Sequence, residues 1–127
     1  TTTIQDLFGD YLWNTISIRD TATAYKENFY HGILLGLFGY MRDWIIKSNI
    51  ESGIGYSDIL IEAPRNRTGI IIELKYAEDG NMDVACQKAL AQIEEKQYAA
   101  LLKEDGMRNI IKYGIACYKK DCQVVAG

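Results

Sequence analysis

Asp58, Glu73 and Lys75 are the residues of this chain whose types and places invite chemistry. Glu73 and Lys75 interrupt the run Gly-Ile-Ile-Ile-Glu-Leu-Lys-Tyr at residues 69–76, which otherwise reads as a strand buried on both faces. Residues i and i+2 of a strand point to the same side, so a carboxylate and an ammonium stand together on the most apolar element of the chain. Asp58 repeats the anomaly, directly before Ile59-Leu60-Ile61. An unpartnered buried charge is costly, so these groups need partners. Two readings follow. Lys75 forms a buried salt bridge with Glu73 or Asp58, or the two carboxylates hold a divalent cation. The second answers a charge count: two carboxylates and one ammonium leave a negative excess. Mg²⁺ (or Mn²⁺) suits such a site, because it takes one or two carboxylates and fills its shell with water and phosphate oxygens. A cation there would polarise a phosphodiester and acidify a bound water. Lys75 would orient that water or neutralise charge in the transition state.

The elements that must position these residues follow from periodicity. Residues 23–47 read as a helix, with Phe29, Ile33, Leu37, Tyr40 and Trp44 on one stripe and Tyr30, Leu34, Met41 and Ile45 beside it. Residues 45–52 shade into a first strand, and Gly53-Ile54-Gly55 is a turn. Residues 56–62 form a second strand, residues 64–67 a loop and residues 69–76 the third strand. A second helix is expected over 82–104, capped by Asn81 and ended by Gly106. Residues 109–118 form a fourth strand. A Lys119-Lys120-Asp121 turn leads to a fifth at 122–125. Short turns make the first three strands an antiparallel meander. The helix after them is long enough for a crossover that sets the fourth strand parallel to the third. The expected fold is therefore α/β, a mixed sheet flanked by helices. Residues 1–22 are set apart as an N-terminal extension, the tail of an upstream region, and 23–127 as the domain.

Composition bounds the function. Apolar residues make up 48% of the 127, enough for a packed core. No apolar stretch reaches the roughly 18 residues of a membrane helix. Cys86, Cys117 and Cys122 are scattered without ligand spacing, which argues against structural zinc and fits a reducing cytoplasm. A net charge of -3 argues against a whole surface that grips nucleic acid. Binding of that kind would need a local basic patch, a metal ion or a second subunit.

Asp58 followed fifteen residues later by Glu73-Leu74-Lys75, behind a helix, resembles the PD-(D/E)XK nuclease superfamily. The wider text is similar to bacterial PD-(D/E)XK domains found behind an AAA-ATPase-like module. Six blocks carry this likeness in order: residues 27–32, 48–53, 56–61, 71–75, 92–98 and 111–116. The resemblance implies a restriction-endonuclease-like sheet and metal-dependent cleavage of nucleic acid, with DNA the expected substrate. It implies Asp58, Glu73 and the Leu74 carbonyl as metal ligands, Lys75 as the residue that assists water, and Glu27 as an extra acidic group. Gln92 and Lys96, one helical turn apart, would hold substrate or the site carboxylate. Ser57 stands where the signature has Pro.

Each of these has a plainer alternative. Glu27 suits a helix start, where the macrodipole favours a carboxylate. Gln92 and Lys96 also fit a solvated seam. Tyr98 is expected to point away and pack with Leu101 and Leu102. His31, the single His, reads best as a hydrogen-bonded core residue. Glu51 and Glu62 are either near the site or plain surface. Arg65, Arg67, Lys119 and Lys120 are candidate phosphate contacts or ordinary surface. At the level of function, the rival to a nuclease is a non-catalytic module of the same fold serving an ATPase partner. A homodimer built on the Ile-rich third strand and the apolar fifth is the remaining possibility.

Overall fold

The computed structural model describes residues 5, 6, 9, 32, 36, 43–51 and 56–127. Five strands form one sheet in the order β1-β2-β3-β4-β5: β1 (Ile45–Glu51), β2 (Tyr56–Ala63), β3 (Thr68–Tyr76), β4 (Asn109–Tyr118) and β5 (Asp121–Ala126). β1, β2 and β3 are an antiparallel meander, β3 and β4 are parallel, and β4 and β5 are antiparallel. The crossover between β3 and β4 carries α1 (Met82–Lys96) and α2 (Tyr98–Glu104). The expected mixed α/β sheet is thus present, with its parallel pair where the crossover demands it.

Composition explains the sheet. Ile59, Ile61, Ile71, Ile72 and Ile115 are all fully buried. Burying each such side chain stabilises the fold by about 1.5–3 kcal/mol. Alternation sorts them onto two faces. On one, Ile59, Ile61, Ile72, Leu74, Tyr76, Ile115, Cys117 and Val124 form a cluster joined by Trp44 and Ile46. On the other, Ile71 packs with Ile93, Leu102 and Met107, while Ala116 packs with Ala77, Ala85 and Cys86. This second face lies under α1 and α2, and it also carries Asp58, Glu73 and Lys75.

Three boundaries differ from expectation. The helix expected to run to residue 47 gives way to strand at Ile45, where β-branched Ile45 and Ile46 pair with Glu62 and Ile61 of β2. Most of that expected helix, with Glu27 and His31, lies outside the described residues, as does the division at residue 22. The single helix expected over 82–104 is two helices, because Gln97 adopts a left-handed conformation (φ 55°, ψ 36°) between them. The loop after β2 contains a single 3-10 turn, Pro64–Asn66, ended by left-handed Arg67.

The caps agree with the sequence. The Asn81 side chain accepts from the Val84 N–H, and Gly106 follows α2 with φ 95°. α1 lies close on β4 because Gly114 has no side chain. A Cβ there would stand 2.6 Å from the Cys86 carbonyl oxygen and 3.0 Å from Leu90 Cγ. The Ile-rich β3 sits in the middle of the sheet with both edges paired. It therefore has no free backbone edge.

Candidate active site

Asp58 and Glu73 are directly opposed across the β2–β3 ladder. Opposed antiparallel residues project to the same face with Cβ atoms about 4.5–5.5 Å apart. Here that face is roofed by helices, and the two are the buried charged residues among those described, at 1% and 0% exposure. Such a pair repels itself in a poor dielectric. What holds it is a cation from α1. Lys96 Nζ lies 3.2 Å from Asp58 Oδ2 and 3.1 Å from Glu73 Oε1. Tyr98 completes the cluster, its hydroxyl donating to Asp58 Oδ2 at 2.8 Å. The Lys96 ammonium also stands 5.8 Å from the centre of the Tyr98 ring, within cation–π range.

Gln97 explains how both neighbours reach one point. In an unbroken helix, residues 96 and 98 would diverge by about 200° around the axis. The left-handed residue between them redirects the chain, so α1 ends on Lys96 and α2 begins with Tyr98, both over the carboxylates. This corrects the expectation for Tyr98. Its ring does pack against the Ile71, Ile93 and Leu102 cluster, but its hydroxyl belongs to the site. Leu101 is exposed.

The charge count changes too. The sequence supplied one ammonium, Lys75, to two carboxylates. In the fold, Lys96 bridges both acids, and Lys75 is a second cation on the same face. The anionic excess inferred from the sequence is therefore absent from the described part of the site. Lys75 is half-buried and lines a cleft of about 300 Å³ with Glu78, Asp79, Asn81, Val84 and Lys88. That cleft borders the start of α1 and does not include Asp58 or Glu73, which lie beneath Lys96 and Tyr98.

The remaining candidates separate. Gln92 is half-buried on α1, one turn before Lys96. Glu62 is four residues from Asp58 along β2, roughly 13 Å at strand rise, and does not join the site. A hydrogen bond with the Asp105 carboxyl, and then burial, hold the Glu62 carboxyl above its ordinary range. Arg65 and Arg67 are exposed, and Arg65 pairs with Asp43 at 3.5 Å. Lys119 lies 5.3 Å from the Tyr118 ring. Glu27 lies outside the described residues. Among the described residues no three His, Cys, Asp or Glu side chains gather as a ready metal cluster.

The donor set still fits a hard divalent cation. Asp58 and Glu73 offer oxygens from two rigid strands, and Glu73 Oε2 is a buried oxygen that accepts no hydrogen bond among the described residues. Two carboxylates with the balance of the shell from water and phosphate is the composition Mg²⁺ favours.

The sequence matches the PD-(D/E)XK nuclease superfamily over residues 25–127, and the chain belongs to that superfamily. The comparison with curated proteins gives no match. Of the two roles that the resemblance implied for Lys96, the described contacts are those with the site carboxylates; sequence reading missed the hydroxyl of Tyr98. The one available signal was its place in a single block with Gln92, which the resemblance had already marked.

Proposed function

We propose that this domain is a metal-dependent nuclease that hydrolyses phosphodiester bonds, with DNA as substrate. The observation that carries this reading is the burial of two register-opposed carboxylates, Asp58 and Glu73, on the central strands of a PD-(D/E)XK chain. A structural core has no use for such a pair. Asp58, Glu73 and the Leu74 carbonyl would hold Mg²⁺ or Mn²⁺, with Glu27 as an additional acidic ligand or water contact. The cation, when bound, supplies Lewis acidity and an acidified water. Tyr98 fixes the Asp58 carboxylate by its hydrogen bond. Lys75, at the edge of the cleft, orients the attacking water or meets the charge that develops on the phosphoryl oxygens. Gln92 and Lys96 contact the substrate backbone. The domain reading of 23–127 is supported by the matched span of 25–127. An AAA-ATPase-like upstream module, a reducing cytoplasmic setting and self-association belong to the same proposal. Three free, buried thiols favour the setting.

A second reading is favoured by one observation. Lys96 already bridges the acidic pair and offsets part of its charge, as it would in a silent module retained for binding. The two readings part in one experiment. Purified protein is incubated with supercoiled plasmid, with Mn²⁺ or with EDTA, beside a Glu73→Gln variant. Nicking that needs Mn²⁺ and is lost in the variant supports the nuclease. Absence of nicking at every protein and metal concentration supports the binding module.

A further inference from the structure

Lys96 is the last residue of α1, and it spans the two acids that the proposed chemistry requires. Its nitrogen lies 3.2 Å from an oxygen of one and 3.1 Å from an oxygen of the other. We infer that Lys96 is an internal counter-ion that competes with the divalent metal for Asp58 and Glu73, so that the site is latched by its own ammonium until the metal displaces it. This rests on the metal-dependent reading of the site.

Four observations support the latch. The ammonium sits between oxygens of different carboxylates, which is where a shared cation must sit. An ammonium and a divalent ion that use the same two groups repel each other at that separation, so both cannot occupy it. The Lys96 side chain is 13% exposed whereas those of Asp58 and Glu73 are at 2% and 0%. Its long stem therefore has a path by which the head turns to water while the acids stay behind. Finally, Tyr98 keeps its own bond to Asp58 Oδ2, so the geometry of that acid survives when the lysine leaves. Once released, the Lys96 ammonium faces the solvent side of the acidic pair, where a phosphate oxygen would meet it. The latch thus orders the events: metal first, then a phosphate contact from Lys96. Without metal, Lys96 bears the stability of the buried pair, and the domain stays folded in the absence of cofactor.

The test is Mn²⁺ affinity without nucleic acid, read by electron paramagnetic resonance of the free ion. Wild type is compared with Lys96→Met, Lys96→Arg and Lys103→Met. The last removes one positive charge from α2 at an exposed position. Removing the competitor makes the binding-competent site the major state, so Lys96→Met binds Mn²⁺ about tenfold tighter while the two controls stay within about twofold of wild type. Unchanged or weaker binding by folded Lys96→Met, with wild type still binding, overturns the latch and leaves the nuclease reading standing. No Mn²⁺ bound by any of the four proteins, together with no Mn²⁺-dependent nicking, overturns both. Should Lys96→Met not fold, wild type labelled with ¹⁵N at lysine Nζ answers the question, with Lys96→Arg supplying the assignment. Mg²⁺ moves the Lys96 ammonium signal from a protected to a rapidly exchanging state; a signal unchanged at saturating Mg²⁺ overturns the latch.

Discussion

At the scale of single residues, the site separates groups that must keep their charge from groups that must keep their place. Under the proposed function Lys75 is the first kind. Half-buried at the rim of a cleft, it lies outside the sealed core. Lys75→Ala should therefore leave the melting temperature nearly unchanged, while loss of water orientation or of charge stabilisation lowers the nicking rate about 100-fold or more. Plasmid nicking rates beside thermal melts check this, and a wild-type rate in the variant removes Lys75 from the mechanism. Tyr98 is the second kind. Tyr98→Phe keeps the ring against Leu102 and deletes the hydroxyl that reaches Asp58. A hydrogen bond to a charged group contributes about 1.5–3 kcal/mol, so urea unfolding should show a loss near the lower end of that range, since Lys96 still holds the acid. Asp58 and Glu73 were legible in the sequence because a charge inside an Ile-rich strand contradicts its surroundings. Lys96 was marked by the resemblance alone, and the role of Tyr98 was not legible, because Lys and Tyr contradict nothing on an amphipathic helix.

At the scale of elements, two backbone details hold the roof over the sheet. Gly114 lets α1 approach β4, and Gly114→Ala would drive a methyl to within 2.6 Å of the Cys86 carbonyl oxygen. Overpacking of this kind costs about 1–3 kcal/mol, and chemical denaturation of the variant measures it. Gln97 breaks the crossover into α1 and α2 with a positive φ. Glycine accepts that conformation without a Cβ penalty. Gln97→Gly should raise stability by about 0.5–1 kcal/mol, whereas an intact single helix through this point predicts a loss of similar size from helix propensity. The strands were legible almost residue for residue; β4 begins and ends at the expected residues 109 and 118. Their apolar runs are bounded by polar turns, and such bounds are local. The break at Gln97 was not legible, since Lys96, Gln97 and Tyr98 all suit a helix. The side chains on either side of it bond to Asp58, almost forty residues away in the chain, and a contact so distant leaves no local mark.

At the scale of the whole molecule, titration and thiol reactivity report on how well the fold seals. Glu62 and Asp105 join β2 to the end of α2 through a shared hydrogen bond that needs a proton. Glu62 is therefore held above its ordinary range in the folded state. This bond contributes fully below the usual carboxylate range, and its contribution fades as pH rises through the raised value. Melting temperatures across that window should fall more steeply in wild type than in Glu62→Gln. Burial pushes the Cys86 thiol up to about 11 and the Cys122 thiol up to about 12. Cys117 is fully buried. None of the three should react with a thiol-specific chromogenic disulfide at pH 8 until denaturant is added, and rapid native labelling would contradict the packing of β4 against β5.

Both acids are carried by neighbouring strands in the interior of the five-strand sheet, whereas Lys96 and Tyr98 flank a joint whose bonds, Gln97 N–H to Glu94 at 3.3 Å and Ala100 N–H to Gln97 at 3.2 Å, are long. The anionic wall is paired along both edges, and the cationic wall turns on one left-handed residue. Amide deuteration would separate them in time, with β3 among the last segments to exchange and the 97–100 joint among the first. That order of exchange would mark the roof as the wall that gives first and the floor as the wall that gives last.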